Sequence, residues 1–147
     1  MTFTQRWTET WRGLNVGKLI AALAIIATLF VVALNTSFLS DQAMKWADAH
    51  EKDPNAPKAL FWVGWWSDLM GDDQNTEKLF WQLYQKYPQE NAMVAEGLYR
   101  IAEIKANGAA RVGCLEFCQI VIDKYSSEEK WRFKASQLSE QVKNNVH

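Results

Sequence analysis

The sequence predicts an all-α protein in which one apolar N-terminal helix precedes a small domain of helical hairpins. Three observations support this prediction. The run Leu19–Leu34 contains no charged residue, whereas the rest of the chain mixes apolar and polar residues. Beyond this run, apolar residues recur every three or four positions, and no stretch alternates as a half-buried strand does. Two segments of helical length, 79–87 and 117–125, also match each other.

The composition excludes several classes of protein. Of the 147 residues, 48% are hydrophobic and 22% are charged, which is too apolar for a disordered chain. The formal net charge of −1 lacks the positive excess that attracts a nucleic-acid backbone, so we expect no nucleic-acid partner. The two cysteines are too few for a disulfide-rich scaffold, and their spacing fits neither a thiol redox motif nor a haem attachment motif.

The apolar run predicts a membrane-spanning helix. At about 1.5 Å per residue the run reaches about 24 Å, and a hydrocarbon core is about 30 Å thick. Apolar and weakly polar flanking residues extend the helix, so we expect the span to cover residues 14–36. A cleaved signal peptide is the alternative, because basic residues precede the run. The residues at Val32–Leu34 and Asn35–Ser37 make poor cleavage sites, which favours an uncleaved anchor.

The charges on the two sides of the span predict its orientation. Residues 1–18 include three basic residues against one acidic residue, whereas residues 35–147 are net negative. Positive charge favours the cytoplasmic side, so we expect a cytoplasmic N-terminus. In a bacterial cell the chain would then cross the inner membrane once, and the C-terminal domain would lie in the periplasm.

Residues 1–13 predict an interfacial segment before the span. Phe3, Trp7 and Trp11 recur at every fourth position, which places them on one face of a helix. Such an aromatic face lies at the boundary between lipid and water. The alternative is a short tail whose tryptophans act as ordinary aromatic anchors of the span. The apolar run contains no His, Asp or Glu, so we expect neither a haem ligand nor a proton relay within it.

Six further helices are predicted after the span. Clusters of Pro, Gly, Asn, Asp and Ser interrupt the helical pattern at five places. The predicted helices cover residues 38–52, 58–70, 76–87, 91–106, 110–125 and 128–144. We expect residues 37–57 to form a connecting helix and linker, and residues 58–147 to form a single helical domain.

Local signals support several helix ends. Asn75 or Thr76 is the predicted N-cap of the third helix, and Ser126 or Ser127 is that of the last. Gly108 is predicted at the C′ position after Lys105, at the end of the fourth helix. The last helix is expected to close the domain with an apolar side formed by Trp131, Phe133, Ala135, Leu138 and Val142.

The sequence contains an internal repeat. Residues 79–87 align with residues 117–125, so that apolar positions coincide and both segments end in Lys-Tyr. The offset between the two segments is 38 residues. A helix pair that recurs about every 35 to 40 residues is typical of a helical-repeat protein. Only about two units fit, and the helices before and after them must close the ends of the stack. A generic helical bundle is the alternative architecture.

The segment Ala95–Tyr125 resembles a unit of the tetratricopeptide repeat family. Leu98 and Ile101 match its large apolar positions, Ala102 matches a small position, and Gly108 lies near its interhelical turn. This unit resembles the divergent units of bacterial envelope proteins, in which a helix ends in Lys-Tyr-Pro. The preceding segment, from about Ala59 to Pro88, has this ending, whereas Ser126 follows Lys124-Tyr125. The resemblance implies a stack of helical hairpins that acts by binding other proteins.

The tryptophan-rich segment 60–66 supplies the main candidate site. On a helix it forms a stripe of Phe61, Trp62, Trp65, Trp66 and Leu69. One interpretation is core packing against the aromatic residues of segment 80–84. A second is docking onto the bilayer or onto a membrane partner, and a third is the wall of a ligand pocket. The predicted partner or membrane interface consists of Trp7, Trp11, Trp62, Trp65 and Trp66.

Other candidate groups have simpler interpretations. Cys114 and Cys118 are predicted to be small buried residues, because no basic neighbour would activate a thiolate. Asp68, Asp72 and Asp73 surround a turn without the spacing of a calcium loop, and they are predicted to be solvated. No phosphate-binding loop or hydrolase, zinc-protease or kinase motif is present. We therefore expect no catalytic residue, no metal and no cofactor.

The sequence thus predicts a non-catalytic accessory subunit of a larger membrane protein complex. Its expected partners are the other subunits and membrane lipid, which it would contact through the repeat domain and the aromatic surface. One alternative is a membrane-anchored assembly factor or scaffold that binds its clients transiently. The other is a module that binds a lipid or another apolar ligand in a pocket.

Overall fold

The computed structural model describes residues 16–108 and 111–144. Within these residues it contains seven α-helices and no strand, which confirms the all-α prediction. The chain divides after Asn35 into two compact units. The helices are α1 Val16–Leu34, α2 Thr36–Ala49, α3 Ala56–Leu69, α4 Asp73–Lys86, α5 Asn91–Asn107, α6 Arg111–Lys124 and α7 Glu129–Asn144.

The first unit contains the apolar helix α1. Its side chains from Gly17 to Val31 are exposed. Among the described residues, no helix by itself has the length and hydropathy needed to cross a membrane. Gly17–Val31 and Thr36–Ala49 satisfy those criteria only when they are taken as a pair with a break between them. The predicted span over residues 14–36 therefore remains a prediction.

The second unit is a stack of helical hairpins built from α2 to α7. Each helix packs against the next, and further contacts join α2 to α4, α3 to α5, and α5 to α7. Ring contacts also join α4 to α6. The odd-numbered helices α3, α5 and α7 thus form one layer, and the even-numbered helices α2, α4 and α6 form the other. Helix α2, which we predicted as a connecting helix, is part of this stack.

The predicted match between segments 79–87 and 117–125 is visible in the hydrogen bonds. Tyr87 follows α4 and Tyr125 follows α6, and in both loops the backbone N–H three positions further on donates to the tyrosine carbonyl at 3.0 Å. The Tyr87 hydroxyl donates to the Ala47 carbonyl at 3.4 Å, and the Tyr125 hydroxyl donates to the Pro88 carbonyl at 3.1 Å. The aligned segments therefore occupy equivalent places in successive hairpins.

Phe80 on α4 lies at the centre of the core. It is 1% exposed, and the centroid of its ring lies 6.0 Å from that of Phe61 on α3. A Cβ atom added to Gly64 would lie 2.9 Å from Phe80 Cε1, and one added to Gly97 would lie 2.7 Å from Phe80 Cδ1. Because these two positions lack side chains, α3 and α5 can both approach the ring closely.

The N-terminus of α4 differs from the predicted one. Asp72 is the N-cap, and its carboxylate accepts a hydrogen bond from the Asn75 N–H at 3.2 Å. The N-cap predicted at Asn75 or Thr76 is wrong, because both residues are already helical. An aspartate at position 72 satisfies a free N–H of the first turn, which lets the helix begin earlier than predicted.

Other helix ends differ more modestly. Ser126 and Ser127 lie in a turn and α7 begins at Glu129, so the N-cap predicted at either serine is wrong. Helix α2 ends at Ala49 instead of at the predicted position 52, because the chain turns there towards α3. The C′ position predicted for Gly108 is wrong, because α5 continues to Asn107 and Gly108 is its C-cap, whose N–H donates to the Ile104 carbonyl at 3.1 Å.

Helix α7 packs on the stack with most of its predicted apolar side. Trp131, Ala135 and Val142 are buried, and Leu138 is partly buried against the core. Phe133 is 62% exposed, so its assignment to this side is wrong. Residues two positions apart on a helix point in nearly opposite directions, which separates Phe133 from Trp131 and Ala135.

Candidate interaction surfaces

The tryptophan-rich segment forms helix α3. Pro57 lies in its first turn, where its fixed φ favours the helix and its missing N–H leaves no bond unmade. Leu60 and Gly64 are buried towards the stack. Apart from Lys58 and Asp68, every residue of α3 that is not buried is apolar. The helix therefore presents an apolar side outside the core.

Trp62, Trp65 and Trp66 lie on this outer side, and we call them the tryptophan face. Trp62 is 60% exposed, whereas the other two are partly buried and Trp65 packs against the core. The Trp62 ring makes edge-to-face contacts with Phe61 at 5.6 Å and with Trp65 at 6.1 Å between centroids. Contacts of this geometry hold large rings in a defined arrangement.

The remaining members of the predicted stripe differ in burial. Phe61 is 9% exposed and contacts Phe80, so it belongs to the core rather than to the surface. Leu69, at the C-terminal end of α3, is 61% exposed. The predicted stripe therefore consists of one core residue, Phe61, and of residues that are partly or largely exposed. Trp7 and Trp11 lie outside the described residues.

A second aromatic cluster joins α4 to α6. The rings of Trp81 and Phe117 are nearly perpendicular, with their centroids 5.8 Å apart. The ring centroids of Tyr84 and Tyr125 are 6.5 Å apart. Lys124 Nζ donates to the Tyr84 hydroxyl at 2.8 Å. Sequence reasoning missed these contacts, although the alignment of the two helices with each other was the signal that could have indicated them.

A polar groove crosses the odd-numbered layer. Its lining includes Asp68, Asp73, Asn107, Gln137 and Gln141. Within it the buried Tyr99 hydroxyl donates to Glu103 at 2.8 Å, and Lys134 Nζ lies 5.3 Å from the centre of the Tyr99 ring. Burial, reinforced by the hydrogen bond to Glu103, raises the pKa of Tyr99. The hydroxyl therefore stays protonated and acts as a structural donor. Nothing in the sequence spacing pointed to this groove.

The two cysteines are buried on α6, as predicted. Cys114 and Cys118 are both fully buried and form no disulfide. Burial raises the pKa of Cys118 to about 12 and raises that of Cys114 as well. A thiol with a raised pKa is a poor nucleophile at neutral pH, because the reactive thiolate is scarce. Both side chains thus act as small apolar residues of the core.

The predicted solvated acids have different roles. Asp68 is a partly buried residue of α3 that forms an ion pair with Arg100 on α5, so its prediction as a solvated turn residue is wrong; Arg100 also binds Glu96 at 2.8 Å. Asp72 is the N-cap described above, so its prediction as a solvated turn residue is wrong, whereas Asp73 is exposed. Within residues 16–108 and 111–144, no three His, Cys, Asp or Glu residues are grouped so that they could hold a metal ion.

Hydrogen bonds hold the start of α2 against the start of α4, and we call this cluster the latch. Thr36 Oγ1 donates to the Asp72 carboxylate. Asn75 Nδ2 donates to Asp72 at 2.6 Å and to the Ser37 hydroxyl at 3.1 Å. The hydrogen bond from Thr36, with those from Asn75, lowers the pKa of Asp72 against the opposing effect of burial.

We expect Asp72→Asn to weaken the acid dependence of folding. A carboxylate whose folded pKa is lowered stabilises the fold above its unfolded pKa, and this contribution is lost as the pH falls through the folded pKa. At neutral pH the variant should lose about 1 kcal/mol, because the amide donates where the carboxylate accepts. Urea unfolding of the full chain in mild detergent at neutral and acid pH measures both effects.

Asp73→Asn is the matched control for this prediction. Asp73 follows Asp72 directly, but it is exposed. The control should therefore keep nearly the same stability as the native chain at neutral pH. An acid dependence in Asp72→Asn as steep as in the native chain would contradict the role assigned to the latch.

Comparison of the chain with models of protein families, with curated proteins and with solved structures gives no match. The likeness to tetratricopeptide repeats therefore remains a prediction from the residues that carry it. The stack of hairpins and the repeated tyrosine hydrogen bonds are features of the structure itself.

Proposed function

We propose that the chain is a non-catalytic accessory subunit of a larger membrane protein complex, anchored by α1 and docked to another subunit through the tryptophan face. The exposed apolar side chains of α1 support the anchor, because a helix of this composition is more stable in lipid than in water. In this arrangement the N-terminus is cytoplasmic and the hairpin stack lies on the other side of the membrane, which is the periplasm in a bacterial cell.

The contrast between the two ends of the odd-numbered layer is the main support for docking. Helix α3 is the first member of this layer and α7 is the last. Apart from Phe133, every exposed residue of α7 is polar, as expected for the closing helix of a repeat stack. The outer side of α3 instead carries the tryptophan face. Aromatic residues are enriched in protein interfaces, so the α3 end of the odd-numbered layer is suited to bind another subunit.

Purification of the tagged chain from its native membrane in a gentle detergent tests the proposal. A set of membrane proteins at fixed ratios to the chain is the expected result. Variable clients at low yield would instead favour the alternative of a transient assembly factor. An isolated monomer would contradict both functions and would direct attention to the binding of an apolar ligand.

Trp62→Ala should weaken retention of the partner about tenfold, because aromatic residues at the centre of an interface often contribute more than about 1 kcal/mol. The melting temperature should change little, since the side chain is 60% exposed. Trp62 separates binding from folding better than Trp65 does, because Trp65 packs against the core. Quantitative mass spectrometry of the purified complex and thermal unfolding measure the two effects.

Phe133→Ala provides the matched control. Phe133 is an aromatic residue of similar exposure, 62%, on α7 at the other end of the layer. Its loss should leave partner retention unchanged. Equal weakening by Trp62→Ala and Phe133→Ala would contradict docking through the tryptophan face.

A further inference from the structure

The two ends of the hairpin stack differ in their exposed chemistry. We call the end where α2, α4 and α6 begin and α3, α5 and α7 finish the tether end, and the opposite end the far end. Among the residues that the structure describes at the tether end, four large apolar side chains are exposed, namely Phe38 at 48%, Leu69 at 61%, Met70 at 41% and Val112 at 73%. They come from the ends of three different helices, so they do not form the face of any single helix.

The far end is polar. It is formed by the loops 50–55, 87–90 and 125–128. Apart from the buried Tyr87 and Tyr125, these loops consist of proline and polar or charged residues. In the described helix turns next to these loops, Trp46 is the one exposed large apolar residue, at 37%, and its ring stacks on His50. Exposed large apolar side chains are therefore concentrated at the tether end.

The chain enters the stack at the tether end. Asn35 alone separates the last residue of the apolar helix α1 from Thr36. The latch then ties Thr36 to Asp72 and ties Ser37 to Asn75. Because Asp72 follows Met70 and Gly71 directly, the turn that carries Met70 is held next to the point of entry. The two steps from Leu34 through Asn35 to Thr36 span at most about 7 Å between Cα atoms, so the tether is short.

We propose that the tether end rests on a lipid surface, with Phe38, Leu69, Met70 and Val112 inserted at the boundary between headgroups and acyl chains. The inference rests on the membrane anchor in the proposed function. Leu69 continues the stripe of the tryptophan face to the end of α3, whereas Phe38 and Val112 come from other helices and Met70 from the following turn. If α1 is embedded in lipid, one connecting residue keeps the latch close to the bilayer surface. Apolar side chains at that depth leave water for the acyl boundary.

The polar groups of the latch are compatible with this position. Thr36, Asp72 and Asn75 hydrogen-bond to one another, so the approach of lipid leaves none of these side chains without a partner. Lipid contact at the tether end directs the far end into the aqueous compartment. The tryptophan face then points sideways, where a neighbouring subunit of the same membrane can reach it.

Photo-crosslinking to lipid tests this arrangement on the full chain, reconstituted in vesicles of phosphatidylcholine. A photoreactive side chain replaces Leu69, Met70 or Val112 in separate preparations. Gln89 and Ser127 serve as far-end controls, and Phe133 serves as an exposed apolar control away from the tether end. A photoreactive side chain at Leu29 in α1 reports whether the anchor is in the bilayer.

Lipid adducts at Leu69, Met70 and Val112, several-fold above those at Gln89, Ser127 and Phe133, are the expected result. Adducts at Leu29 without adducts at the tether end would overturn this inference and leave the proposed anchor standing. Absence of adducts at Leu29 would overturn the anchor, and with it the lipid contact of the stack. Equal labelling of both ends would also overturn the inference, because it would show that the stack has no fixed orientation on the bilayer.

Discussion

Replacement of Phe80 by alanine is expected to lower the free energy of unfolding by about 4 kcal/mol. The ring is 1% exposed, and Gly64 and Gly97 lie against it from α3 and α5. Because neither glycine has a side chain that could move into the space left by the ring, the cavity cannot be filled without a shift of whole helices. Urea unfolding of the full chain in mild detergent, followed by circular dichroism, measures the loss.

Phe133→Ala is the control for this substitution as well. It removes the same side chain from a position that is 62% exposed, and it should change the free energy of unfolding by less than about 0.5 kcal/mol. A loss below about 1 kcal/mol for Phe80→Ala would contradict the central position of this ring, since a buried phenylalanine normally contributes several times more.

Gly97→Ala should lower the free energy of unfolding by about 2 kcal/mol. The added Cβ would lie 2.7 Å from Phe80 Cδ1 and 2.9 Å from Cγ, so the backbones of α4 and α5 must move apart. Overpacking of this kind costs up to about 3 kcal/mol, and the better helix propensity of alanine returns about 1 kcal/mol. Gly64→Ala should cost less, because its close contacts are with the free end of the ring, at Cε1 and Cζ.

Gly113→Ala is the matched control for the two glycines of the core. A Cβ added there would lie 3.5 Å from the Lys105 side chain, which is an ordinary contact. The control should therefore lose no stability, and it can gain up to about 1 kcal/mol from helix propensity. The double variant Gly97→Ala with Phe80→Leu should lose less free energy of unfolding than the sum of the losses of the two single variants. The reason is that both substitutions act on the same contact. If the losses of the two single variants add up to that of the double variant, the predicted clash between the added Cβ at position 97 and the Phe80 ring would be contradicted.

The helical architecture follows from short-range patterns. The spacing of apolar residues and the loop residues predicted all six helices of the stack, and the match between segments 79–87 and 117–125 predicted equivalent hairpins. The errors in the bounds of the helices lie at their ends, where Asp72 replaced Asn75 or Thr76 as the N-cap, and within α7 Phe133 was assigned to the wrong side. Several polar residues in this loop are chemically able to cap, and Asp72, which does so, also accepts a hydrogen bond from Thr36, which lies 36 positions away in the chain.

The sequence predicted which residues of α3 lie along one stripe of the helix, but not which of them are exposed. Periodicity places Phe61 and Trp62 near each other on one helix, yet Phe61 is 9% exposed and Trp62 is 60% exposed. The boundary between core and surface depends on where α4 and α5 cover α3, and no local pattern contains that information. Neither the latch nor the contrast between the tether end and the far end was predictable from the sequence, because each depends on residues from several helices.

By itself, then, the sequence determined the helical class, the apolar N-terminal helix and the internal repeat, because each is visible as a pattern along the chain. Only the tertiary structure decided that Phe80 lies between two glycines, that Trp62 faces outward, and that Phe38, Leu69, Met70 and Val112 share one end of the stack. The physical reason is that burial and proximity are properties of helix packing, which brings together residues that are far apart in sequence.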